Sequence, residues 1–304
     1  MSDRLQANGR ISAIAGGSIA VAFFVMAFKY VAYAVTGSVA LYSDALESIV
    51  NVVTAIAAFL AVRISAQPAD ENHPFGHHKA EYLSAVLEGA LIVVAALLIF
   101  REAYDALLHP RSLESAGTGF LFNATATALN GMWSRFLITS GRHSKSPALV
   151  ADGWHLFTDV LTSLGVLAGL LLAAATGVSM LDPLLAVAVA GYILWSGSKI
   201  AMSSMSSLMD EAVAGDLAER IRRAIKVSGQ GAIEAHDIRT RHAGRATFIE
   251  FHLVVPGSMT VRDAHVICDR LEAALEAEIE GSDVVIHVEP EHKLKPTDSG
   301  AVEL

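Results

Sequence analysis

Two carboxylates, Asp44 and Glu47, lie in the otherwise lipid-soluble stretch "YSDALESIVN". An ionisable side chain inside a bilayer costs roughly 2.5–3.5 kcal/mol on insertion scales, so such a group marks a pathway or a partner. At about 100° per residue, Asp44, Glu47, Ser48 and Asn51 share one narrow helical stripe. The device recurs in "ADGWHLFTDV", where Asp152, His155 and Asp159 stand at i, i+3 and i+7 on one face. Carboxylate oxygens and an imidazole nitrogen so placed bind one divalent cation and suit Zn, Fe, Mn, Co or Ni. A lone intramembrane Asp or His that only bonds a neighbouring helix is the competing reading; two matching stripes favour ligands. The same groups titrate, and metal binding displaces their protons, which is the minimum equipment for metal–proton exchange. Asn130 and the threonines near it are read as helix-packing groups.

Two further clusters carry ligand chemistry. In "PADENHPFGHHKAEYL", Asp70, His73 and His77 follow one another at steps of three and four, beside a Pro and a Gly that shape a turn. Glu71 and His78 are additional donors there, and a solvated polar loop is the alternative. Near the C-terminus, His252 follows Glu250 and His287 precedes Glu289 by two residues, so each pair points to one face of a strand. His236 and His265 join the same region, although any one of them taken alone reads as a surface histidine.

The elements that must position these groups follow from hydropathy. The chain has 304 residues, 53% hydrophobic and 17% charged, with mean hydropathy +0.47, well to the apolar side of a soluble protein. Apolar runs near the roughly 20 residues needed to cross a bilayer occur at 11–35, 39–62, 82–108, 117–138, 148–175 and 180–202. The fourth is semi-polar and is expected to pack against protein or a water-filled cavity. Residues 1–207 thus read as an all-α six-helix transmembrane domain. Residues 208–292 read as a small α/β domain of order αββαβ, metallochaperone-like, and 293–304 as a disordered tail. No signal peptide is expected before the first span. Arg4, Arg10, Arg63, Lys79, Arg142 and Lys145 fall on one side, against Arg111 and Arg101 on the other, which places both termini in the cytoplasm. The single Cys268 excludes an internal disulfide and fits a reducing compartment, and the net charge of −9 argues against nucleic acid.

These residues together resemble the cation diffusion facilitator transporters over nearly the whole chain. The likeness is carried by "HPFGHHKAE" after the second span, by His155 and Asp159 in the fifth, and by "HDIRTR" and "VVIHVEP" in the tail. The resemblance implies a homodimer in the cell (inner) membrane, whose cytoplasmic tails pair and which drives divalent metal out of the cytoplasm against protons. By position it implies a membrane site of Asp44, His155 and Asp159 and a loop site of Asp70, His73 and His77. The tail site would be His236, His252, His287 and Glu289, with His265 close by. Lys79 and Asp210 match positions that lock two protomers together. One departure stands out: where the family has a second Asp or His four residues after the first, this chain has Ser48. Glu47, Asn51, Asp152 or a water are the candidate replacements.

The expectation is therefore a proton-coupled exporter, not an enzyme, working by alternating access. Its cargo is zinc first, then iron or another divalent ion such as Mn, Co, Ni or Cd. A transport-silent metal sensor or assembly partner, disabled in the membrane by Ser48, is the alternative. A membrane metalloenzyme ranks below both, since HExxH and a nucleophile beyond the metal are absent from the sequence.

Overall fold

The computed structural model describes residues 2–36, 39–108, 118–176, 178, 180–296 and 301–304. Within its helices, the side chains of residues 2–8, 32, 35–36, 39–47, 118–121, 123, 166–167, 169–171, 173–175 and 182 fall outside the description. The chain forms two compact units, Met1–Met205 and Ser206–Leu304.

The first unit is built from six long helices: α1 (Ser2–Thr36), α2 (Val39–Ser65), α3 (Ala80–Leu108), α4 (Thr118–His143), α5 (Pro147–Thr176) and α6 (Leu181–Leu208), whose last turn belongs to the second unit. Among the described residues, four segments are long and apolar enough to cross a membrane: Gly9–Val31, Ser48–Ser65, Ala80–Leu108 and Pro183–Leu208. Their outer faces expose large apolar side chains such as Phe24, Val53, Leu98 and Trp195, as a lipid-facing surface requires. Helix α5 is central, packing against α4, α3 and α2, while α1 packs against α2 and α4. Ile11, Ala15, Ala58, Val62, Leu137, Leu149 and Leu156 interlock α1, α2, α4 and α5.

The α4–α5 crossing is close because of glycine. A Cβ at Gly153 would meet Ile138 Cγ1 at 2.7 Å and the Ile138 backbone nitrogen at 3.0 Å, so only a hydrogen fits. The semi-polar character of α4 has the same origin. Asn130 and Ser134 are buried, and Ser134 Oγ donates to the Gly153 carbonyl at 2.8 Å. Polar ties bind other helices: Ser18 Oγ of α1 donates to Asp152 Oδ2 at 2.5 Å, and Trp133 Nε1 of α4 donates to Ser18 Oγ at 3.2 Å. At the far end of α2, the buried Glu81 accepts from Ser65 Oγ at 2.7 Å and from Ser146 Oγ.

The second unit runs α7 (Gly215–Ser228), β1 (Glu234–Ala243), β2 (Ala246–Val255), α8 (Val261–Glu278) and β3 (Ser282–Pro290), the expected αββαβ order, and adds a short β4 (Val302–Glu303). The sheet order is β3-β2-β1-β4. Strands β1 and β2 are antiparallel, whereas β2 and β3 are parallel, so a crossover must join the latter pair and α8 provides it. Thr260 caps α8, its hydroxyl accepting from the Asp263 amide at 3.2 Å. Ile221, Ile225, Ile249, Phe251, Leu253, Leu271 and Leu275 close a core made of this unit's own residues. The disordered tail expected over 293–304 is corrected at its end. Val302 and Glu303 pair with Ala235 and Glu234, the Leu304 amide donates to the Ile233 carbonyl at 3.2 Å, and Leu304 packs on the core, so the segment satisfies an otherwise open edge of β1.

Candidate metal centres

In the first unit, α2 and α5 meet through their polar stripes. Asn51 Nδ2 of α2 donates to Asp159 Oδ2 of α5 at 2.6 Å, and Asn51 Oδ1 lies 3.2 Å from His155 Nε2. Because the Asn51 oxygen only accepts, the hydrogen in the second contact sits on His155 Nε2. One amide therefore holds an atom of each of two expected ligands. Asn51 and His155 are buried, each 5% exposed, and Asp159 is partly buried. Ser48, one turn before Asn51 on α2, is buried at 1%. The backbones of Asp44 and Glu47 belong to α2, but their side chains lie outside the described residues. Asp152 is engaged by Ser18 instead, which ties α5 to α1.

The loop cluster is assembled as its spacing suggested. Asp70 Oδ1 accepts from the backbone amides of His73 at 2.7 Å and Asn72 at 3.0 Å, a turn built on an aspartate side chain. Gly76, at φ +81°, lets the chain reverse so that His77 comes back to it. His73 Nδ1 is then 3.4 Å from Asp70 Oδ1 and His77 Nε2 3.5 Å from Asp70 Oδ2. One ligand atom from each residue falls within 4.8 Å of the others. The His73 amide above all, with the Asn72 amide and the two imidazoles adding to it, holds the Asp70 carboxyl below its ordinary 3.8 against a partial loss of hydration.

The tail cluster depends on strand register. His236, His252 and His287 are direct partners across β1, β2 and β3, so three imidazoles form one row, with ring centroids 5.4 and 4.9 Å apart. Glu289 reaches all three: its Oε2 is 3.2 Å from His236 Nε2, and its Oε1 is 3.4 Å from His252 Nδ1 and 3.7 Å from His287 Nε2. His236 Nε2 is buried and makes no hydrogen bond of sound geometry. Donor separations of this size match the roughly 3.3 Å edge of a zinc tetrahedron with ligands at about 2.0–2.1 Å, so the donor set fits a divalent cation.

Two residues beside this row were not expected there. Asp237 neighbours His236 in sequence and should point to the opposite face of a regular strand. A bulge between His236 and Arg239, with Asp237 at φ +51°, turns it back, so that His236, Asp237 and His252 each offer a ligand atom within 4.8 Å of the others. Glu234, 6% exposed, contacts His236 Nδ1 at 2.8 Å. His265 is not brought into the cluster: it lies exposed on α8, its Nε2 3.6 Å from Asp269. Asp210 accepts from Arg241 Nη1 at 3.0 Å within the second unit. Cys268 is buried, and that burial above all, with Glu272 and Asp269 beside it, pushes its thiol up and keeps it protonated.

Comparison with known proteins identifies the framework that carries these centres. Residues 17–209 match the family model of the cation efflux transmembrane domain, and residues 213–291 that of the cation efflux protein cytoplasmic domain. An uncharacterized transporter of Synechocystis sp., sll1263, is 45% identical over 273 residues, spanning 90% of this chain and 88% of its own. The cation-efflux pump FieF of Serratia proteamaculans is 34% identical over 283 residues, 92% of this chain and 93% of its own. Among solved structures, the Zn form of a putative zinc transporter, CzrB, is 45% identical, covering 29% of this chain and 99% of its own with a TM-score of 0.28. With its helical membrane domain followed by a cytoplasmic α/β domain, the chain belongs to the cation efflux family, the cation diffusion facilitators.

Proposed function

We propose that the chain exports divalent transition metal from the cytoplasm in exchange for protons, with zinc as the first cargo and iron or another first-row ion next. In this reading it works as a homodimer in the inner membrane with both termini cytoplasmic. The observation that carries the reading is the Asn51–His155–Asp159 set, which joins α2 to α5 through the nitrogen and oxygen atoms a cation would take. With the cavity open to the cytoplasm, the hydrogen on His155 Nε2 is lost or shifts to Nδ1 as Nε2 and Asp159 Oδ2 exchange the Asn51 amide for metal, and Asp44, with Glu47 as its local supplement, completes the ligand set from α2. Rocking of the helices then exposes the site to the other side. There protons compete for the same imidazole and carboxylates and release the ion, following the logic of a fixed midplane site between moving bundles. The loop and tail clusters bind metal on the cytoplasmic side and regulate the cycle, and the second unit pairs the protomers.

Zinc uptake into proteoliposomes under an imposed pH gradient tests this. Asp159→Ala abolishes uptake and Glu47→Gln weakens it. Asn51→Ala lowers the KM for zinc by roughly fivefold to 150-fold, because cargo no longer displaces two hydrogen bonds worth about 0.5–1.5 kcal/mol each. If wild type moves no offered divalent metal while its second unit still binds zinc, the transport reading falls and a membrane metal sensor takes its place.

A further inference from the structure

We propose that Glu234 is a positioning residue of the tail metal site, fixing the tautomer and orientation of His236 so that Nε2 is presented to the cation. The inference rests on reading the tail row as a metal site. Glu234 and His236 stand two apart on β1 and share a face, with Glu234 Oε1 at 2.8 Å from His236 Nδ1. An ionised carboxylate only accepts, so Nδ1 carries the hydrogen, and the ring's other nitrogen faces Glu289 Oε2 at 3.2 Å. Two Lewis bases held that close in a buried place call for a proton or a metal ion between them, and the further donors His252 and Asp237 beside His236 favour the metal. That arrangement, in which a carboxylate holds one ring nitrogen and a metal takes the other, raises ligand basicity and locks the ring.

Glu234 is itself held on two sides. Its Oε1 also accepts from the Lys295 backbone amide at 3.1 Å, and its backbone pairs with Glu303 of β4. The Lys295 ammonium lies 3.5 Å from Asp237 Oδ2. The segment after β3 thus buttresses the carboxylate that orients His236, and ordering of residues 293–295 and 302–303 serves the metal site rather than the sheet edge alone.

Residues 206–304 have a core of their own, so the test uses that piece. Long-range proton–nitrogen NMR of the imidazoles, recorded without metal, reports the His236 tautomer, and competition with a chromophoric chelator reports zinc affinity. Wild type shows His236 protonated at Nδ1. Glu234→Ala loses that preference and binds zinc about 10- to 100-fold more weakly, whereas Glu234→Gln, whose amide oxygen accepts the same hydrogen bond, keeps the tautomer and loses less. Glu234→Met, which fills the space without a carboxylate, is read out in the same way should the alanine variant not fold. An unchanged His236 tautomer, or zinc affinity within about twofold of wild type in the Ala or Met variant, overturns the proposal. Absence of zinc binding by wild type would sink the tail-site reading instead, and the tautomer comparison would still decide the role of Glu234.

Discussion

Asp70 sits in a turn that supplies two backbone N–H donors to one carboxylate oxygen, so it meets the cellular pH range as an anion. Its value is lowered on folding. The carboxylate and the turn that depends on it are therefore fully present above the ordinary 3.8 and are lost only as pH falls through the lowered value. Across pH 5–8 Asp70 is already ionised, so it has no proton to release to an incoming cation. Calorimetric zinc titrations of the purified protein in buffers of different ionisation enthalpy are expected to give the loop site the same proton release in wild type and Asp70→Asn. Affinity in that variant should drop by at least the roughly tenfold that losing an outer partner of a metal ligand costs. The spacing of Asp70, His73 and His77 made this cluster legible in the sequence, because all three sit within one turn. The amide donors that set the charge of Asp70 are backbone groups and leave no trace in residue identity.

Helix α4 shows what elements add. Its polar residues made it the weakest membrane span by hydropathy, and the structure accounts for them, with Asn130 and Ser134 buried and Trp133 bonded to Ser18. The closeness of α4 to α5 rests on Gly153, where an added Cβ would approach Ile138 to 2.7 Å. Gly153→Val is expected to force the helices apart at a cost of about 1–3 kcal/mol, visible as a lower unfolding temperature of the detergent-solubilised protein. Zinc uptake should fall with it, because His155 lies two residues along the same helix. Tail strands β1, β2 and β3 were equally legible from alternation and turn residues, since both are local signals. The bulge that redirects Asp237 was not, because it arises from how β1 pairs with β2.

At the scale of the whole molecule, His265 is the informative exception. It lies exposed on α8 and is absent from the tail row of its own chain, yet the family likeness puts it near a tail metal site. In the proposed homodimer, only a second protomer could bring the exposed His265 a metal to share. Sedimentation of residues 206–304 is therefore expected to show zinc shifting wild type toward dimer and doing so less in His265→Ala. An identical response of the two would leave His265 as an ordinary surface residue.

By itself the sequence determined the helices, the succession of a helical and an α/β domain, the αββαβ order and the three groups of ligand-type residues. All of these follow from periodicity, hydropathy and spacings of two to seven residues that backbone geometry converts directly into shared faces. Tertiary structure alone decided that Asn51 bridges His155 and Asp159, that strand register lines up His236, His252 and His287, and that Glu234, Asp237 and the C-terminal strand join that row while His265 stands apart. Those outcomes depend on which helix crosses which and on how strands pair. Such contacts between residues tens to more than a hundred positions apart are fixed by the packing of whole surfaces, which no local pattern encodes.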